Sequence, residues 1–147
     1  MTPAGVFVGQ QLENVMQGIW TEELAPVVVV DEDSASRLVA RITVTGFGSV
    51  PAHIDVALRG ELCAATTPAV ARAIDGLLPL GIGDVRFDLA ELRLCTSAGI
   101  DLWVDLAARL LPHGGDVRLD GAAGVVRRAL DAVGVSDSGT VRRPGPA

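Results

Sequence analysis

Lysine and tyrosine are absent from this 147-residue chain, and aromatic residues make up only 3% of it. All 12 basic residues are arginine, which removes the Schiff-base amine and the phosphate-cradling P-loop lysine. So few aromatic rings leave little on which bases could stack. Positive charge is in short supply too. Eighteen acidic residues give a net charge of −6, so no basic face is dense enough to neutralise phosphates, and nucleic acid is not an expected partner. Cysteine is scarce: Cys63 and Cys95 make neither a disulfide framework nor a metal site. No metal and no cofactor are expected, and a reducing cytoplasm is the expected compartment. No window holds about 18 uninterrupted apolar residues, so no spanning helix and no direct membrane insertion are expected. The opening Met1-Thr2-Pro3-Ala4-Gly5 lacks the basic and apolar regions of a signal peptide.

What is present is a core. Hydrophobic residues make up 49% and charged residues 20%, a globular balance, and the length fits one domain. Residues 1–36 form the least patterned part and read as an N-terminal extension. Within them Leu12, Val15, Met16 and Ile19 recur at helical spacing, which predicts a short helix from Val6 to Trp20. Val27 to Val30 read as a strand, running into a solvated acidic loop, Asp31-Glu32-Asp33. Trp20 is expected to anchor the extension.

From Arg37 the pattern sharpens into a domain over 37–143, followed by a tail at 144–147. Leu38 to Val44 is β-branched and reads as a strand. Ile54, Val56 and Leu58 alternate with polar residues and give a second strand, hairpinned with the first. Thr67 as cap and Pro68 at the first helical position open a helix, with Val70, Ile74, Leu77 and Leu78 on one face. Val85 to Leu89 is a strand. A helix runs from Ser97 or Ala98 to Leu111, burying Ile100, Trp103, Val104, Ala107 and Leu111. Val117 to Leu119 is a strand. A last helix, Ala122 to Val133, turns Val125, Val126, Ala129, Leu130 and Val133 inward and stops at Gly134. Thr140 to Arg142 is a possible strand. The order β-β-α-β-α-β-α predicts an α/β fold: one mixed, mostly parallel sheet with an antiparallel first strand, packed by helices. Sites in such folds gather beyond the carboxyl ends of the parallel strands, where Cys63 and Ser97 both fall.

The stretch Phe87 to Ile100 reads as a buried strand, a short loop and a helix start at Ser97-Ala98-Gly99. A hydroxyl there sits at a helix N-terminus, whose N–H groups and dipole favour negative charge. It suits a bound or attached phosphate, and it equally suits a plain cap.

Two segments resemble the STAS domain, the fold of bacterial anti-sigma factor antagonists and of the cytoplasmic tail of sulphate transporters. Gly60-Glu61-Leu62-Cys63-Ala64-Ala65-Thr66-Thr67-Pro68 is similar to that family's Gly-Glu-Leu-Asp-x-x-Thr-x-Pro. Asp88-Leu89 followed by Thr96-Ser97-Ala98-Gly99-Ile100 is similar to its Asp-Leu … Asp-Ser-x-Gly-Leu. Gly114 to Leu119 and Val126 to Val135 look like its last strand and helix. The resemblance implies a non-enzymatic regulator that sequesters an anti-sigma factor of the histidine-kinase-like ATPase type. It places Ser97 at the phosphorylated serine, with a phosphatase to reverse the modification. Glu61, Leu62, Cys63, Thr96, Ser97, Ala98 and Gly99 are the implied partner-binding residues. Two positions depart from the pattern: Cys63 and Thr96 stand where the family carries acids that line the phosphorylation site. Binding survives that loss better than a phosphorylation switch does. The alternative reading is an accessory STAS subunit of a membrane transport system.

Other chemistry is weaker. Catalysis by Cys95 or Ser97 needs a base, and His53 and His113, the two histidines, are poorly placed for it. A redox pair of Cys63 and Cys95 competes with two plain buried thiols. Asp101, Asp105 and Arg109 read as a solvated helix face with a favourable i,i+4 pair.

Overall fold

The computed structural model describes residues 19–31, 33, 35–47, 50–133 and 139–141. The strands are β1 (Ile19–Glu23), β2 (Val27–Asp31), β3 (Ser36–Phe47), β4 (Val50–Leu62), β5 (Ile82–Cys95), β6 (Val117–Asp120) and β7 (Gly139–Val141). The helices are α1 (Thr67–Asp75), α2 (Ser97–Leu110) and α3 (Gly124–Ala132). Single 3-10 turns, Leu78–Leu80 and Leu111–His113, follow α1 and α2.

The strands form one seven-stranded sheet in the order β1-β3-β4-β5-β6-β7, with β2 also on β3. Its centre is parallel, β4 with β5 and β5 with β6. Its flanks are antiparallel, including the β3–β4 hairpin. The parallel pairs need crossovers, and α1 and α2 supply them. Alternation decides which face is packed. Leu38, Ala40, Ile42 and Val44 of β3 and Ile54, Val56, Leu58 and Leu62 of β4 are buried. They pack with Val70 and Ile74 of α1, Trp103, Leu106 and Leu110 of α2, and Val126 and Leu130 of α3. The opposite face carries Arg41, Arg59, Arg86, Asp88, Glu91 and Arg118, all exposed. Among the described residues the sheet is therefore covered on one side and open on the other.

Several local expectations shift. Ile19 and Trp20 belong to β1 rather than to a helix; residues 6–18 lie outside the described residues. Trp20 pairs with Gly46 of β3, and its indole occupies the space a side chain there would need. Asp31 ends β2 instead of opening a loop. The cap of α1 is Thr66, one residue earlier than expected. Leu111, Val125 and Val133 are 71%, 51% and 51% exposed; each sits at or beyond a helix end, where the buried stripe has rotated past the sheet. Gly134, Arg142 and the tail at 144–147 lie outside the described residues.

β5 differs most from expectation. It continues through Leu89 to Cys95, where a loop is predicted. Its pairing with β4 slips three times, so Gly83, the Leu89–Ala90 stretch and Arg93 each add a residue against β4. These are β-bulges. The buried residues Ile82, Val85, Phe87, Leu89, Leu92 and Cys95 are spaced by two or three accordingly.

Candidate docking site

The parallel pairing of β4 and β5 brings the two motif segments to one edge. Glu61 stands beside Leu94 and Leu62 beside Cys95. Beyond the strands the segments are stitched together: the Thr96 N–H donates to the Leu62 carbonyl at 3.0 Å. Thr96 is the N-cap of α2, extended at φ −97° and ψ 179°, and its side chain makes no capping bond. Its carbonyl instead accepts from the N–H groups of Gly99 (3.0 Å) and Ile100 (3.3 Å). Ser97 is the first residue of α2 and is exposed. Its hydroxyl thus stands at the positive end of a 14-residue helix, whose partial charge favours an anion.

Glu61, Cys63, Thr96 and Ala98 are half-buried around Ser97, and Leu62 and Gly99 are buried beneath them. A Cβ on Gly99 would lie 2.6 Å from Leu62 Cδ2 and 2.9 Å from Cys95 Sγ. Glycine there lets the start of α2 settle onto the end of β4. Leu62 and Gly99 shape the surface from below; Ser97 and its half-buried neighbours present it. Exposed Ala64 and Ala65 extend it.

The Glu61–Thr66 turn is held by Thr66, which falls within the first motif segment and at the helix start but to which the sequence assigns no role in the site. Thr66 is fully buried. Its hydroxyl donates to the Glu61 carbonyl at 2.7 Å and accepts from the Cys63 N–H at 3.0 Å. The Cys63 carbonyl accepts from the N–H groups of Thr66 and Thr67. Cys63 Sγ lies 3.7 Å from the Thr66 hydroxyl. Burial pushes this thiol's pKa up, but hydrogen bonds involving Ser36, Thr66 and Ala65 outweigh it and leave the pKa lowered. Ser36 reaches the site from β3, and no local pattern could have marked it. Cys95 faces the core against Gly99. Burial there raises its pKa to about 11.

Electrostatically the site is sparse. Glu61 pairs with Arg93 at 3.9 Å, and Cys63 and Thr96 bring no acid. His53 sits on the open face against Asp55 at 3.1 Å, and His113 lies in the turn after the far end of α2. Neither neighbours Ser97. No group of three or more metal-binding side chains occurs among the described residues. A concavity of about 450 Å³ lies on the open face between Arg41, Arg59, Asp88 and Glu91. None of the residues around Ser97 lines it. Ser97 is exposed among half-buried neighbours, and the charge beside it is the Glu61–Arg93 pair. No helix among the described residues is long and apolar enough to cross a membrane.

A family model for the Mlab, STAS domain matches residues 45–142, more than half of the chain. Among solved structures, the anti-sigma factor antagonist SpoIIAA in its unphosphorylated form is similar at a TM-score of 0.53 and 18% identity, covering 56% of this chain and 73% of that one. An anti-sigma factor antagonist from Mycobacterium paratuberculosis is similar at a TM-score of 0.55 and 18% identity, covering 72% of this chain and 83% of that one. At such identity the likeness is one of fold. No curated protein sequence matches.

Proposed function

The chain belongs to the STAS domain family, and from that premise we propose that it is a protein-binding regulator of the anti-sigma factor antagonist kind. It docks an anti-sigma factor of the histidine-kinase-like ATPase type through Ser97 and the residues around it, in the cytoplasm and without catalysis of its own. The observation that carries this reading is the convergence of Glu61–Cys63 and Thr96–Gly99 on one edge, with Ser97 exposed at the start of α2. Small residues there let a partner backbone approach closely. A phosphate on Ser97 would add about −1.5 to −2 charge, favoured by the helix terminus in the free protein and opposed to a partner packed on a neutral surface. A phosphatase would restore binding.

The test is binding of the purified chain to the candidate anti-sigma factor, followed by incubation with ATP and mapping of any phosphosite. Ser97→Asp is expected to weaken binding at least tenfold, about 1.4 kcal/mol, while Ser97→Ala retains it. Unchanged binding by Ser97→Asp, or no binding by the unmodified chain, would sink the proposal.

A second reading is favoured by one observation. With Cys63 and Thr96 in place of acids, the surface lacks the carboxylates expected to line a phosphorylation site. An accessory subunit of a membrane transport system, docked on its ATPase or permease, needs no phosphorylation. Recovery of transporter subunits by affinity capture, with no phosphosite at Ser97, would favour it.

A further inference from the structure

A second feature is independent of the Ser97 surface. β2 is an edge strand: it pairs with β3 on one side and with no strand on the other among the described residues. Natural edges are usually blunted by lysine, proline, a bulge or an inward charge. Within Val27–Val30 none of these occurs; Pro26 and Asp31, the latter on the face of Val27 and Val29, stand only at its two ends. Four of the five residues are valine, and the register with β3 is unbroken. Val27 and Val29 pack toward the core. Val28 and Val30 point the other way, 63% and 56% exposed, beside Val39 and Arg37 of β3.

We propose that β2 is a self-association edge, on which β2 of a second copy pairs antiparallel about Val29 to make one continuous sheet. The sequence fits itself in this register. Val28 falls opposite Val30 of the partner subunit and Val30 opposite Val28 of the partner subunit, a favourable β-branched cross-strand pairing. Each chain adds its own Val39 and Arg37 to the row, so the exposed valines cover one another. Charge selects the direction. Asp31, followed by Asp33, ends the strand. Parallel pairing would set Asp31 beside Asp31 of the partner subunit. Antiparallel pairing sets each opposite a Val27 and separates the two by ~14 Å at the strand rise of about 3.4 Å per residue, beyond the Debye length of about 8 Å. The contact is isologous and closes as a two-fold dimer. One strand pair is a small interface, so the dimer is weak and depends on concentration.

The test is light scattering coupled to gel filtration on the full chain across a wide concentration range. The mass is expected to rise from 15.2 kDa toward twice that value. The double substitution Val28→Lys and Val30→Lys is expected to hold it at the monomer throughout. Both side chains are exposed, so thermal melts of the variant should match the parent. Should the variant melt early, hydrogen exchange on the parent chain decides: amides of Val27 to Val30 gain protection as concentration rises. Three results overturn the proposal: a mass independent of concentration, a dimer that survives both lysines, or full protection of these amides in the monomer, which would mean that another part of the same chain covers the edge.

Discussion

Cys95 pairs with Leu62 and Cys63 follows Leu62 by one residue, yet the chemistry of the two thiols diverges because of where each side chain points. Cys63 is half-buried in a turn whose hydrogen bonds favour the thiolate. Cys95 is buried under α2, where a charged sulfur has no solvation. Nucleophilicity follows the thiolate and its access. We expect iodoacetamide at neutral pH to label Cys63 in the folded protein and Cys95 only after denaturation, as read by peptide mapping; equal labelling of both would contradict this placement. The sequence allowed a redox pair here. Both thiols are free, and their environments make them two separate groups. The same residues show how far the site could be read in advance. The motif segments were legible because they are contiguous. The roles of Thr66 and Ser36 were not, since the first depends on a turn closing on itself and the second on a strand 27 positions upstream of Cys63.

At the scale of the element, β5 shows why hydrophobic spacing misleads. A regular strand repeats every two residues, but the bulges stretch the buried positions of β5 to steps of two and three. Steps of three read as neither strand nor loop, so only the regular middle, Val85 to Leu89, was predicted. The last bulge separates two leucines that a regular strand would place on one face: Leu92 is 5% exposed and Leu94 37%. Leu92→Ala should therefore cost about 2–5 kcal/mol, the range for emptying a core site. Leu94→Ala should cost less than about 1 kcal/mol. Urea titrations of the two variants measure both, and similar losses would rule out the bulge at Arg93. The helices were easier, because Pro68 and Gly76 bracket α1 and the apolar stripe of α2 keeps its period. β1 was harder. Its place is fixed by Trp20 lying on Gly46, a contact between residues far apart in sequence that no local period records.

For the molecule as a whole, one covered face and one open face set where stability comes from. The open face carries exposed ion pairs, Arg59–Glu91 at 3.6 Å, Arg41–Glu23 at 3.9 Å and Arg86 between Asp55 and Asp120. Each such pair contributes about 0–1 kcal/mol at most. The buried face dominates, and through Cys95 it couples global stability to alkaline pH. Below pH 9.0, the ordinary value for this thiol, folded and unfolded chains both keep its proton. Between 9.0 and about 11 the unfolded chain releases the proton and the folded chain holds it, so stability falls as pH rises. The lowered pKa of Cys63 acts in the opposite sense, but below that window. The urea midpoint is expected to decline from pH 9 to pH 11, and a Cys95→Ala variant should decline less; identical slopes would remove Cys95 as the cause.

β6 ends at Asp120 beside Asp88, while β5 runs seven residues farther to Cys95. The tip that bears Ser97 is consequently laddered to β4 on one flank, while on the other no strand accompanies it among the described residues, and α2 and α3 pack against β5. In mechanical terms it is a blade clamped along one side. A partner docking there as proposed would meet anisotropic resistance: bending toward β4 would strain a hydrogen-bonded ladder, whereas twisting toward α3 would work mainly against side-chain packing. Under the docking proposed above, approach direction, and not only contact chemistry, would then bear on which partners fit this surface.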